Sequence, residues 1–85
     1  MTAYTLVWQP AAVTALGRIR TGDPEAAKRV RTAISALAEN PLSPDTASLG
    51  GTAVRRLRLG RLRVLYEVDD INEAVHILVV GQLPA

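Results

Sequence analysis

The sequence has no cysteine and no phenylalanine, and it has only one tryptophan, two tyrosines and one histidine. The absence of cysteine excludes disulfides and thiolate metal ligands and is consistent with the cytoplasm. No apolar run approaches the roughly 18–20 residues of a membrane span, and the first ten residues lack the basic and apolar regions of a signal peptide. We therefore expect a cytoplasmic protein without a membrane partner, whose core consists of Leu, Val, Ile and Ala.

The 85 residues are 48% hydrophobic, which is enough for one small domain over residues 1–85. The net charge is only +2, but half of the ten basic residues fall within nine positions of each other. Arginine presents a planar fork of donors that suits phosphate or carboxylate. The clustered basic residues are Arg55, Arg56, Arg58, Arg61 and Arg63.

Cap and turn signals predict one strand, two helices and then three strands. Pro10 suits the first turn of one helix, and Asp23 with Pro24 forms a good start for the next, which ends at Asn40-Pro41. The expected fold is α+β, with a small antiparallel sheet and a two-helix hairpin packed on one face. The predicted strands are 3–8, 53–59, 62–68 and about 74–80, the helices begin at 10 and 24, and 40–52 is a loop.

Two helical stripes of apolar residues are expected to cover the sheet. The first consists of Ala12, Val13, Leu16 and Ile19. The second consists of Ala27, Val30, Ile34 and Leu37.

The segment "VRRLRLGRLRVLYEV" predicts a β-hairpin with a two-residue turn at Gly60-Arg61, because a type II′ turn favours glycine at its first position. Arg58 then pairs with Arg63, and alternation along the strands separates two faces. The core face holds Leu57, Leu59, Leu62, Val64 and Tyr66. The other face holds Arg56, Arg58 and Arg63.

Like charges directly opposite each other destabilise a sheet pair by roughly a few tenths to 1 kcal/mol. The Arg58–Arg63 pair therefore favours a face that binds anions, although a solvated basic face relieved by Glu67 is the alternative. Arg56, Arg58, Arg61 and Arg63 are the predicted phosphate-binding residues.

Pairing the last two strands across "DDIN" would place His76 beside Leu65 on the arginine side, and would place Val75, Ile77 and Val79 in the core. His76 is the one side chain there whose ordinary pKa, roughly 6.5, suits proton transfer near neutral pH. A lone histidine on a strand is usually a half-buried residue of no catalytic role, and that is the alternative. The acidic residues near "DDIN" are those expected in a tight turn, so no metal or other cofactor is predicted.

The segments "LRLGRLRVLYEVDD" and "VHILVVG" resemble the RelE/ParE superfamily of bacterial type II toxins, as do "YTLVWQPAAVTALGRI" and "ALAENP". The resemblance implies a toxin that a cognate antitoxin neutralises. In the RelE branch it implies metal-independent cleavage of mRNA in the ribosomal A site by attack of the RNA 2′-hydroxyl on the adjacent phosphate. Arg63 and Arg56 match the charge-stabilising positions, with Arg58 beside them and His76 as a proton-transfer candidate.

The sequence departs from the RelE pattern at three positions. Leu62 replaces the usual aromatic residue, and Gln82 and Leu83 follow Gly81 where active chains commonly carry His-Arg or Lys-Arg. ParE-type members inhibit DNA gyrase and do not need those basic residues. Three functions thus remain open: an mRNA endonuclease, a gyrase inhibitor, and an attenuated toxin that acts through antitoxin binding and operon autoregulation.

Overall fold

A computed structural model describes residues 3–84. It contains a five-stranded sheet in the order β1-β5-β4-β3-β2 and two helices. The α+β prediction is confirmed. The elements are β1 (Thr5–Trp8), α1 (Pro10–Gly22), α2 (Pro24–Leu37), β2 (Thr46–Ser48), β3 (Val54–Leu59), β4 (Leu62–Asp69) and β5 (Ala74–Gln82).

The sheet is mixed, because one parallel pairing joins the antiparallel pairings that were expected. Strands β2 to β5 pair antiparallel, but β1 runs parallel to β5, from Thr5 opposite Ala74 to Trp8 opposite Ile77. Short loops enforce antiparallel pairing only between consecutive strands. The two helices separate β1 from the rest of the sheet, so its direction was free to differ.

A single residue, Asp23, separates the two helices. Its backbone N–H donates to the carbonyl of Ile19 at 2.6 Å, and its side chain accepts from the N–H of Ala26 at 3.1 Å. Asp23 therefore ends α1 and begins α2, with Pro24 at the first helical position. Helix α1 extends to Gly22, directly before Asp23.

Strand β2 lies inside the segment 40–52 that was predicted to be a loop. Its three residues form the outer edge of the sheet against β3. The Arg55 side chain donates to the Thr46 hydroxyl from Nε at 3.2 Å and from Nη2 at 2.9 Å. This contact helps hold β2 in place, and a three-residue strand among turn-forming residues leaves no periodic signal in the sequence.

The core lies between the helices and one face of the sheet. The predicted stripe of α2 is entirely buried, whereas Val13 of α1 is 54% exposed. Tyr66 is fully buried, and its hydroxyl donates to the carbonyl of Pro41 at 2.6 Å. This hydrogen bond fixes the chain that leaves α2 against the middle of the sheet and satisfies a polar group that would otherwise be buried alone.

The pairing between β4 and β5 differs from the prediction in two ways. Asp69 stays in the strand and pairs with Ala74, so the connecting loop is 70–73 and His76 lies opposite Glu67 rather than beside Leu65. A bulge at Leu78 then reverses the alternation of β5, so Val80 is buried and Val79 is 50% exposed. Val75 and Ile77 are in the core as predicted, but Val79 is not.

Neither helix among residues 3–84 is long and apolar enough to cross a membrane.

Candidate functional site: the arginine face of the sheet

The β3–β4 hairpin has the predicted register. Gly60 has φ +58°, and Arg61 next to it does not have a positive φ, which is the combination of a type II′ turn. Leu59 pairs with Leu62, and Arg58 pairs with Arg63. The two-residue turn therefore sets which side chains face the helices.

Three arginines share the sheet face that points away from the helices, and we call Arg56, Arg58 and Arg63 the arginine face. Arg58 is exposed, and the other two are half-buried. Residues that alternate with them, Leu57, Leu62 and Val64, are buried against the helices as predicted. Leu59 is only half-buried, because it lies near the tip of the hairpin.

The guanidinium of Arg63 folds back over the turn. Its Nη1 donates to the carbonyl of Leu62 at 2.9 Å and also to the carbonyl of Gly60. These contacts orient Arg63 while its remaining donors are not engaged in any side-chain hydrogen bond found within residues 3–84. Arg61 is exposed in the turn beside it. Arg56 differs, because its Nε is enclosed and has no hydrogen-bond acceptor in the described part of the chain.

In the described part of the chain, no arginine of this face contacts a carboxylate within 4.0 Å. Within residues 3–84 the one contact closer than 4.0 Å between a basic side chain and a carboxylate joins His76 Nε2 to Asp69 Oδ2, at 3.6 Å. Repulsion between Arg58 and Arg63 is therefore left uncompensated at close range. A bound anion would relieve this repulsion and would accept hydrogen bonds from the free guanidinium N–H groups, since arginine pairs well with phosphate oxygens.

We call the sheet face that points away from the helices the open face. Residues that pair across neighbouring strands form rows on this face, and each row is named by its residues. The Arg58·Arg63 row ends at Gly81, the Arg56 row continues through Leu65 to Val79, and the next row contains Glu67 and His76. Because a strand rises about 3.3–3.4 Å per residue, successive rows are about 7 Å apart.

His76 is on the same face as the arginines, as predicted, but the structure does not bring it to Arg63. Its row is the second beyond the Arg58·Arg63 row, a separation of about 13 Å along the strands. The neighbours of His76 are Glu67 across the strand pair and Asp69. The sequence carried no reliable signal for this placement, because it depends on where the loop between β4 and β5 begins.

Two side chains near this end of the sheet have shifted pKa values. Hydrogen bonds to Asp69 from the side chain and backbone of Asn72 lower the pKa of its carboxyl, because they stabilise the charged form. The hydrogen bond from the Tyr4 hydroxyl to Asp70 Oδ1, at 2.6 Å, raises the pKa of Tyr4. Both groups lie at the end of the sheet away from the arginines, with Asp69 beside His76 and Tyr4 packed against the core.

The segment after β5 passes beside the hairpin turn. The backbone N–H of Leu83 donates to the carbonyl of Arg61 at 2.8 Å, and the Leu83 side chain is 46% exposed. The Gln82 side chain instead contacts Asp23 Oδ2 at 3.4 Å, on the helix side. Both positions where active RelE-type chains commonly carry basic residues therefore lie next to the arginine-rich turn, but the Gln82 side chain is directed to its helix side.

A second surface feature lies on the helix side of the hairpin tip. It is an open groove of about 580 Å³ between α2 and the end of β3. Its walls are Glu25, Lys28, Arg29, Thr32, Ala33, Leu59 and Gly60.

Within residues 3–84, no group of three or more His, Asp or Glu side chains is arranged to hold a metal ion.

This architecture is that of RelE toxins. The isolated RelE toxin of E. coli shares the fold, with a TM-score of 0.83 and 18% identity over 98% of this chain and 87% of that chain. The toxin–antitoxin complex RelBE2 of Mycobacterium tuberculosis gives a TM-score of 0.82 and 25% identity over 95% of this chain and 99% of the matched one. The archaeal RelE–RelB complex of Pyrococcus horikoshii gives 0.81 and 26% over 96% of each chain.

The sequence itself identifies the family. Residues 6–82 match the profile described as the ParE toxin of the type II toxin-antitoxin system parDE. Among curated protein sequences there is no significant match. The chain belongs to the ParE toxin family within the RelE/ParE superfamily, which confirms the resemblance noted from the sequence.

Proposed function

We propose that this toxin inhibits translation by cleaving mRNA bound to the ribosome, and that the arginine face holds the RNA backbone. The observation that carries the proposal is the set of three arginines on the open face, none of which has a carboxylate partner among residues 3–84. Several unpaired guanidinium groups on one exposed surface suit a polyanion better than they suit a structural role. The site of action is the cytoplasm, and no cofactor takes part.

In the proposed reaction the RNA 2′-hydroxyl attacks the adjacent phosphorus and loses its proton to solvent water, and the 5′-oxygen of the next nucleotide leaves and takes up a proton from solvent water. Negative charge builds up on the non-bridging oxygens, and Arg63 with Arg56 donates hydrogen bonds to them. Arg58 and Arg61 hold the one neighbouring phosphate. Arg63 is suited to the first role, because its contacts with the turn carbonyls orient its guanidinium before RNA binds.

Proton transfer by His76 stays a prediction. The row of His76 is about 13 Å from that of Arg63, which is too far for both to contact one phosphate without rearrangement. The proposed catalysis therefore depends mainly on electrostatic stabilisation.

The proposed partner is a cognate antitoxin. Two of the similar solved structures are complexes of a RelE protein with RelB, which supports a protein partner for this chain as well. An acidic segment of the antitoxin would cover the arginine face and block the RNA.

Inhibition of DNA gyrase is the second candidate function. It is favoured by the match to the ParE family and by Gln82 and Leu83, which stand where RelE-type chains commonly carry basic residues. To inhibit gyrase the toxin would only have to bind a protein, and no proton-transfer residue near Arg63 would be required.

Metabolic labelling after induction of the toxin separates the two functions. We expect methionine incorporation to stop before thymidine incorporation, because translation is the proposed target. The double variant Arg58→Ala/Arg63→Ala should abolish the arrest. Arg18→Ala/Arg20→Ala removes the same charge from the exposed surface of α1 and should leave the arrest intact. Early loss of thymidine incorporation would instead identify gyrase as the target.

A further inference from the structure

The open face of the sheet changes the sign of its charge along the β3–β4 hairpin. Starting from the turn, Arg61 is followed by the Arg58·Arg63 row and then by the Arg56 row. The next row on β4 carries Glu67, and Asp69 follows two residues later. The charge of the open face therefore changes from positive to negative between two adjacent rows, over about 7 Å.

Glu67 is the acidic group closest to the arginines in this row order. Across the sheet it faces Val54 on one side and His76 on the other. It forms no ion pair closer than 4.0 Å with any residue in 3–84, whereas Asp69 is engaged by Asn72 and His76. The charge of Glu67 is therefore not neutralised locally, and it acts on whatever lies over the arginine face.

The surface between the two signs is apolar. Leu65 and Val79 follow Arg56 in its row, and Val79 is half exposed. No charged side chain of the three paired strands therefore separates Glu67 from Arg56 on the open face. A phosphate held by Arg56 would lie about 7 Å from the Glu67 row, where the repulsion weakens binding about threefold even at the dielectric constant of water.

We propose that Glu67 marks the end of the RNA-binding surface. A single RNA strand lies over the Arg58·Arg63 and Arg56 rows, and Glu67 prevents it from continuing toward His76. Two arginine rows hold about two successive phosphates, so the site has a short footprint that begins at the hairpin turn. This inference rests on the proposed function, because it names the extent and the orientation of the same site.

The salt dependence of binding measures the number of phosphates held. The probe is a short fluorescein-labelled oligouridylate, and the readout is the fluorescence anisotropy of the free toxin's complex across a range of salt concentrations. For two phosphates on a single strand, the slope of log K against log salt should be about −1.4. Glu67→Arg should steepen the slope to about −2.1, because it adds one phosphate contact. Glu67→Gln should keep the slope and tighten binding about threefold, which corresponds to the removed repulsion.

Glu39 supplies the matched control, because it is exposed just beyond α2 and outside the paired strands. Glu39→Arg and Glu39→Gln change the net charge by the same amounts as the Glu67 variants and should leave the slope unchanged. Equal effects at positions 39 and 67, or no binding of the oligonucleotide at low salt, would overturn the inference. An acidic peptide is expected to compete with the oligonucleotide, as the antitoxin would. Binding of such a peptide by a toxin that does not bind the oligonucleotide at any salt concentration would overturn the inference and would make the surface a protein-binding site alone. Cleavage of ribosome-bound mRNA is measured separately. If the toxin cleaves mRNA but the Glu67 variants bind the oligonucleotide like the wild type, the proposed function stands and only the role of Glu67 is overturned.

Discussion

At the scale of single residues, Asp69 has a defined electrostatic environment. Its carboxylate accepts hydrogen bonds from the backbone N–H of Asn72 at 3.1 Å and from the Asn72 side chain at 2.9 Å. Both bonds stabilise the charged form and lower the pKa from its ordinary value of 3.8. Since the folded pKa is below the unfolded one, Asp69 stabilises the fold above that ordinary value and loses this contribution as the pH falls through the folded pKa.

NMR titration of the Asp69 carboxyl carbon tests this environment. We expect a midpoint below 3.8 in the wild type. In Asn72→Ala the midpoint should move upward, because the largest cause of the shift is removed. A wild-type midpoint at or above the ordinary value would contradict the hydrogen bonds that define this turn.

Leu83 offers a gain-of-function test at the same scale. Its backbone is bound to Arg61, and its side chain is partly exposed beside the arginine-rich turn. Leu83→Arg should place another donor near the scissile phosphate and raise cleavage about tenfold, which is less than the roughly hundredfold or greater effect of a preorganised donor. Leu42→Arg is the control, because Leu42 is 63% exposed elsewhere on the surface. Equal rates for the two variants in a cleavage assay would show that position 83 lies outside the site.

At the scale of secondary-structure elements, the hairpin turn determines the site, because it sets the register that gathers the arginines. Gly60→Ala should destabilise the protein by about 1–2 kcal/mol, since an L-residue resists the positive φ of 58°. Gly17→Ala is the matched control within α1, where an added methyl group has open space and should stabilise the helix by about 0.5–1 kcal/mol.

Urea unfolding of the two glycine variants measures both effects. Equal changes in the free energy of unfolding would show that position 60 does not need a glycine with positive φ. The assignment of a type II′ turn would then be wrong.

The same elements show how far the sequence could predict the site. A two-residue turn permits only one register, so the Arg58–Arg63 pair and the division into faces followed from the sequence alone. The four-residue loop before Ala74 permits several registers, and the bulge at Leu78 has no signature of its own. For this reason the sequence placed His76 beside the wrong neighbour and Val79 on the wrong face. The parallel pairing of β1 was missed because it arises through contacts distant in sequence.

At the scale of the whole molecule, an 85-residue chain has a small core and limited stability of its own. A partner that binds only the folded toxin adds about 2.7 kcal/mol when its concentration is a hundred times its dissociation constant. For a domain of this size, that gain raises the melting temperature by about 10–20 °C. We therefore expect saturating antitoxin to stabilise the toxin strongly.

Scanning calorimetry with and without antitoxin tests this expectation. The Arg58→Ala/Arg63→Ala variant should show a smaller shift, because the proposed acidic segment loses its contacts, whereas Arg18→Ala/Arg20→Ala should match the wild type. An unchanged melting temperature at saturation would argue against the arginine face as the antitoxin surface.

Primer extension on programmed ribosomes tests the central claim, that this molecule cleaves mRNA by means of its arginine face. The wild type should produce cuts in the A site, and Arg63→Ala should reduce the rate about a hundred- to a thousandfold, since one preorganised donor contributes that much. Arg18→Ala should cut like the wild type, and His76→Ala should lose less activity than Arg63→Ala. A wild-type toxin that produces no cuts beyond the background of Arg63→Ala would contradict the claim.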